Sequence, residues 1–171
     1  LGLDGTCPIP GMLRAAEGRV SSLHYGTYDY SASLGISGEF QSLEHPAADH
    51  AKSVMQVAVA GTGVHLSDGS TNQLPVGDAD QRSRTWALHA RLVRRSLGRG
   101  IYQGWDLHAH QLATRYLATY DFYRRAFPDA ARRLVAYSGR SVPGIEAADV
   151  ADEPATARAL AVYVHLSLIH I

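Results

Sequence analysis

"SVMQVAVAGTGVHLSDG" occupies residues 53–69. Val54, Val57 and Ala58 recur at helical spacing, Gly61 and Gly63 stop the helix, and "VHLSDG" follows as a short run ended by Asp68-Gly69. A helix that hands its chain directly to a strand is half of a β-α-β unit, so the flanking segments decide the fold class.

Upstream, "RVSSLHYGTY" (19–28) carries alternating, β-favouring residues bounded by glycines and reads as a first strand. Between the two strands, "EHPAADHAKSVMQVAVAGTG" (44–63) has Pro46 near its start, as helices prefer. Downstream, "QRSRTWALHARLVRRSLGRG" (81–100) places Trp86, Ala90, Val93 and Leu97 at i, i+4, i+7 and i+11, while Arg94, Arg95 and Arg99 crowd the end where cations suit the helix dipole. "GIYQGWDL" (100–107) is a third strand candidate, followed by a helix over 110–127 in which Leu112, Tyr116, Tyr120, Tyr123 and Phe127 recur at three and four. Pro128 permits a break there. A short helix over 10–18 precedes the first strand, and helical stretches at 129–138 and 152–165 flank a Gly/Pro loop at 139–144.

Strand, helix, strand, helix, strand, helix is the order of an α/β protein with parallel strands and right-handed crossovers, either an open doubly wound sheet or a barrel. Periodicity does not separate the two. No glycine-rich phosphate fingerprint follows a strand, which weakens the dinucleotide-binding version of the open sheet. In both architectures chemistry gathers at the C-terminal ends of the strands, where Asp29, Asp68 and "WDLHAH" (105–110) fall.

Composition narrows the function classes. Sixteen basic side chains balance sixteen acidic ones, which removes the electrostatic case for nucleic acid. No apolar run approaches the roughly 20 residues of a membrane span. Cys7 is the single cysteine and cannot form an internal disulfide, consistent with a cytoplasmic location. There is no Gly-x-Ser-x-Gly elbow for a hydrolase.

On residue type alone, Asp29 is a turn or helix N-cap acid and Asp68 a turn residue. His24 and His65 sit in strand-like runs as core histidines, His110 is a cap or solvent-facing residue, and neither strand histidine has a partner at zinc spacing. The tyrosines of 110–127 read as packing and the arginines of 91–99 as a solvated face.

Taken together, the three strand ends resemble the HpcH/HpaI aldolase and citrate lyase β-subunit family over roughly residues 10 to 127. "HYGTYDYSASLGI" (24–36) looks like that family's Gly-x-x-Asp segment, with Gly26, Asp29 and Gly35 matching. The 54–69 unit looks like its following helix and strand, and "GWDLHAHQL" (104–112) like its Gly-x-x-x-His-Pro-x-Gln, with Gly104, His108 and Gln111 in place and Ala109 where the proline stands. The resemblance implies a (β/α)8 TIM barrel, of which this chain is the last three βα units plus C-terminal helices. It further implies a lyase that cleaves a carbon–carbon bond in a 2-oxo acid or a hydroxyacyl-CoA through a metal-stabilised enolate, with Mg2+ or Mn2+ bound by Asp29. Gly26 and Thr27 would hold the substrate carboxylate, with Asp68 and His108 also at the substrate. The family's second carboxylate ligand, a glutamate, and its oxo-acid-binding arginine are expected before Leu1, Glu17 lying on the wrong element to replace the glutamate, so the chain by itself is expected to be inactive.

The expected organisation is the C-terminal part of one barrel over 1–165, with 166–171, "LSLIHI", a non-native tail whose sequence resembles a translated sequencing adapter. The parent is expected to form a homo-oligomer. Two other functions fit the same fold: phosphoryl transfer from phosphoenolpyruvate, and binding without catalysis.

Overall fold

The computed structural model describes residue 2 and residues 4–139 and 152–170. These form two compact units, residues 1–115 and 116–171. Most of the Gly/Pro loop expected at 139–144 lies outside the described residues.

The first unit is built on a parallel pair. Strand β1 (Ser22–His24) and strand β2 (His65–Ser67) pair in the register Ser22↔His65, Leu23↔Leu66 and Ser67↔His24. Helix α3 (Pro46–Val59) makes the crossover between them, so the β-α-β unit read from 53–69 is present. His45 caps α3 by accepting from the Ala47 amide with its ring, and Gly61 and Gly63 take left-handed backbone at φ 74° and 78°, where a side chain would be strained. Before β1 lies helix α1 (Ile9–Ala15); after it comes α2 (Thr27–Ser33), so the chain turns helical within the run read as strand up to residue 28.

Helix α4 (Ala79–Gly98) leads from β2 to a third extended segment. That segment, expected as a strand over 100–107, contributes a single parallel bridge, Ser67↔Gln103, reinforced by the Asp68 amide donating to the Gln103 carbonyl at 2.9 Å. Its interior is polar and interrupted by Gly104, and only Ile101 is buried among its large apolar residues, which leaves too little for a longer ladder.

The core joins Tyr25, Leu43, Ala48 and Leu92, with Tyr30, Ala51, Met55 and Leu88 packed around them. Burying a side chain such as Leu92 contributes on the order of 2 kcal/mol. The buried stripe of α4 differs from the expected one: Thr85, His89, Leu92 and Ser96 face inward with Val93 and Leu97, whereas Trp86 is exposed and hydrogen-bonds the His110 carbonyl. The helix is thus rotated so that His89 and Ser96 reach buried partners on other segments, while the Thr85 hydroxyl donates to the Gln81 carbonyl one turn back. Its arginines are not simply solvated, because Arg91 pairs with Glu44, and Arg95 and Arg99 both pair with Asp49. His24 and His65 are exposed rather than in the core.

Helix α5 (Leu112–Tyr137) runs through Pro128 without ending, and Leu112, Tyr116 and Tyr120 are exposed, so the aromatic stripe is only partly packing. In the second unit Tyr123 is buried, and the Tyr163 hydroxyl donates to the Phe122 and Tyr123 carbonyls at 2.8 and 3.0 Å. Helix α6 (Pro154–His170) continues through most of the segment expected as a tail. Among the described residues no helix is long and apolar enough to cross a membrane.

Candidate functional site

Parallel pairing puts the C-terminal ends of β1, β2 and the Gln103 segment at one edge of the sheet, and the loops that follow them meet there. Gly69 is where two of these loops touch. A Cβ on it would stand 2.3 Å from Thr27 Oγ1 and 2.7 Å from the Tyr25 carbonyl, so only glycine lets the chain after β2 lie against the start of α2. The Thr27 hydroxyl is buried and donates to the Ser70 carbonyl at 3.0 Å. Tyr28 extends the same contact, its hydroxyl accepting from the Asn72 amide at 2.5 Å.

Asp29 follows in the first turn of α2, exposed, with no hydrogen bond or ion pair among the described residues. Its carboxylate leans back over the turn, such that a Cβ on Gly26 would lie 3.7 Å from Oδ2. Gly26 itself is the N-cap and supplies no side chain, which leaves the first amides of the helix without a side-chain acceptor.

Asp68 stands at the same edge but is spent internally. Its carboxylate takes Lys52 Nζ at 3.1 and 3.2 Å, the Ser96 hydroxyl, and the Gly69 amide at 2.8 Å. Lys52 also donates to the Leu43 carbonyl at 3.1 Å and lies 5.5 Å from the centre of the Tyr25 ring. Burial pulls the Lys52 ammonium below its ordinary pKa, against the opposing attraction of Asp68. Burial likewise pushes the Tyr25 phenol up to about 12. Asp68 therefore borders the neighbouring narrow cleft with a fully occupied carboxylate.

On the far side of that cleft, which both line, His89 and Arg115 converge on Asp106. His89 Nε2 lies 2.8 Å from Asp106 Oδ1 and Nδ1 lies 2.7 Å from Thr114 Oγ1, while Arg115 forks onto both carboxylate oxygens at 2.8 to 3.2 Å. Burial acts to raise the Asp106 pKa, but the hydrogen bonds from His89 and Arg115 and their charge outweigh it and bring the carboxyl down to about 2. Gly104 makes room for this fork, since a Cβ there would meet Arg115 Nη1 at 2.7 Å.

His108 caps a 3-10 turn (Ala109–Gln111), its Nδ1 accepting from the His110 amide at 3.2 Å. Gln111 is fully buried: its carbonyl oxygen accepts from the Leu107 and His108 amides, and its amide donates to the Thr71 and Gln73 carbonyls. It clamps the loop after β2 to the loop after the third segment.

The structure thus gathers Gly26, Thr27 and Asp68 around Gly69, sets Asp29 beside them, and gives His108 a capping role. Sequence reading missed Lys52, His89, Asp106 and Arg115. Asp106 lies inside the quoted "GWDLHAHQL" but at none of its matched positions, the other three lie on helices with no local motif, and Lys52 and His89 acquire their acids from segments 16 and 17 residues away.

Two open pockets adjoin these loops, one of them at the start of α2. One lies between the residues preceding α1, the end of β1 and α3; it encloses about 300 Å³ and is lined by Cys7, His24, Gly26, Tyr30, Val54 and Met55. The other is an open hollow of about 460 Å³ between the loop after β2 and the first turns of α4. Among the described residues no group of three or more His, Cys, Asp or Glu side chains could by itself hold a metal ion.

Comparison with curated proteins found no match, and comparison with solved structures found none. Over residues 1–169 the chain matches the family described as a domain of unknown function, DUF6986, and belongs to it.

Proposed function

We propose that the edge formed by these strand ends is part of the active site of a divalent-metal-dependent carbon–carbon lyase acting on a 2-oxo acid or a hydroxyacyl-CoA, and that the sheet is the C-terminal part of a (β/α)8 barrel. One observation carries the reading: an exposed carboxylate, Asp29, without any partner among the described residues, at the C-terminal end of a parallel strand and beside uncapped amides. Asp68 and Asp106 are committed to internal cations, so Asp29 is the acid at this edge free to take an external one.

The donor chemistry fits Mg2+ or Mn2+ in a specific way. Such ions favour hard oxygen, keep several waters and are commonly held by one or two carboxylates together with substrate. Asp29 would be the carboxylate this chain supplies. When bound, the metal stabilises negative charge that develops on the substrate oxygen.

The chain's own residues do the rest. The amides at Gly26 and Thr27 point the positive end of α2 at an incoming carboxylate. Thr27 contributes through its backbone, because its hydroxyl is turned to Ser70. The Gly69 contact holds the loop after β2 against the start of α2, and the Gln111 clamp ties that loop to the one after the third segment.

Titration of Mn2+ into the purified chain, followed by electron paramagnetic resonance, tests the reading. Wild type is expected to bind one ion weakly and Asp29→Asn to lose it with unchanged thermal stability. Equal binding by the two proteins removes Asp29 as a ligand and the lyase reading with it.

A further inference from the structure

The larger pocket beside this edge has the lining of a ligand site. Gln81, Arg84, Thr85 and Leu88 fall on one stripe of α4 and face Asn72, Gln73 and Leu74 of the loop after β2. The pocket is open to solvent, and its volume of about 460 Å³ lies within the range of small-molecule pockets.

Arg84 is its one charged lining residue, and among the described residues its guanidinium has neither a hydrogen bond nor an ion pair. Of the nearby charges, Asp78 caps α4 by accepting from the Gln81 amide at 2.8 Å, Arg82 donates to the Gly77 carbonyl, and Asp80, exposed on the first turn, stands one helical turn before the exposed Arg84. The loop wall is fixed before any ligand arrives. Gln111 holds the Thr71 and Gln73 carbonyls at 3.2 and 3.1 Å, and the Thr71 hydroxyl accepts from the Gln73 amide at 3.2 Å. An unpaired guanidinium, side-chain amides and a leucine floor on a preformed wall recognise an acidic group carried on a short apolar stem.

We infer that this pocket anchors the acidic end of a small organic anion through Arg84, with the apolar stem lying on Leu74 and Leu88. Tyr28 connects it to the edge described above, since its hydroxyl takes the Asn72 amide while its neighbour in sequence is Asp29. The inference rests on the lyase reading only in making that anion the substrate. It narrows the substrate to one with an acid remote from the reacting carbonyl.

Two-dimensional NMR of the full chain, without metal, tests it with hexanoate, hexanamide and inorganic phosphate as probes. Hexanoate is expected to give saturable shifts at Asn72, Gln73 and Arg84, and hexanamide to bind about tenfold or more weakly, because a charge-assisted hydrogen bond is lost. Arg84→Gln should weaken hexanoate to the level of hexanamide, and the control Arg14→Gln should leave it unchanged. If Arg84→Gln does not fold, the hexanoate and hexanamide comparison in wild type decides alone. Equal binding of acid and amide, or shifts scattered away from the pocket, overturns the inference; phosphate bound as tightly as hexanoate overturns the apolar stem. Because no metal is present, a negative result here is separate from loss of Mn2+ binding at Asp29.

Discussion

Lys52 Nζ lies 3.1 Å from Asp68 Oδ1, with the two side chains only 1% and 5% exposed. Lys52 belongs to α3, Asp68 to the end of β2, and Ser96 of α4 reaches the same carboxylate. One ion pair therefore ties two helices to the sheet. Removing one partner of such a pair leaves a charge buried without compensation, which is more costly than removing both. Lys52→Met is expected to destabilise the first unit by about 3 to 5 kcal/mol. Lys52→Met combined with Asp68→Asn should recover a substantial part of that loss. Urea denaturation of the single and double variants measures both; a single variant as stable as wild type refutes the pairing.

The Asp106 fork sets an acid limit. Its folded pKa, about 2, is below the ordinary value of 3.8. The native state thus binds fewer protons than the unfolded state between these values, and stability falls as pH drops through that window. The contribution, present in full above the ordinary value, amounts to about 2 kcal/mol. Wild type should lose it between pH 3.8 and 2. Arg115→Met removes the strongest fork and should shift this loss to higher pH, as read by acid titration of the folded fraction.

Gln111 makes four hydrogen bonds between two loops. Each contributes about 0.5 to 1.5 kcal/mol net, with an added penalty for partners left buried and unpaired. Gln111→Leu is expected to cost about 2 to 4 kcal/mol and to free the Leu107 and His108 amides. Hydrogen exchange at these amides is the direct readout, and protection equal to wild type would contradict the clamp.

The β-α-β unit was legible because its signals are local. Pro46 marks a start, Gly61 and Gly63 occupy left-handed positions, and Asp68-Gly69 closes the strand, each acting within a few residues. Third-strand pairing was not legible, because local β preference over 100–107 meets only one pairing position, at Ser67. The rotation of α4 was hidden for a related reason. Thr85, His89 and Ser96 look polar and outward in sequence, while Asp106, Thr114 and Asp68, which make inward burial of His89 and Ser96 favourable, come from other segments. Pro128 looked like a helix end, yet it and Arg124, whose carbonyl loses its usual donor, are both exposed, so water can replace the missing bond.

Of the proposed site, Asp29, Gly26 and Thr27 were nominated by a short motif at a strand end. Arg84 was not, because its neighbours in the pocket lie on a loop after β2 and only the folded chain faces them together.

The register of the sheet also sets the length of chain that must close before the strands meet. Ser22 pairs with His65 across the whole of α2 and α3, so no strand-to-strand hydrogen bond can form until that long loop has closed. Helix α3 rests on local contacts, whereas every rung of the ladder joins residues 43 positions apart. Leu23 and Leu66 are therefore neighbours that only a closed chain brings together.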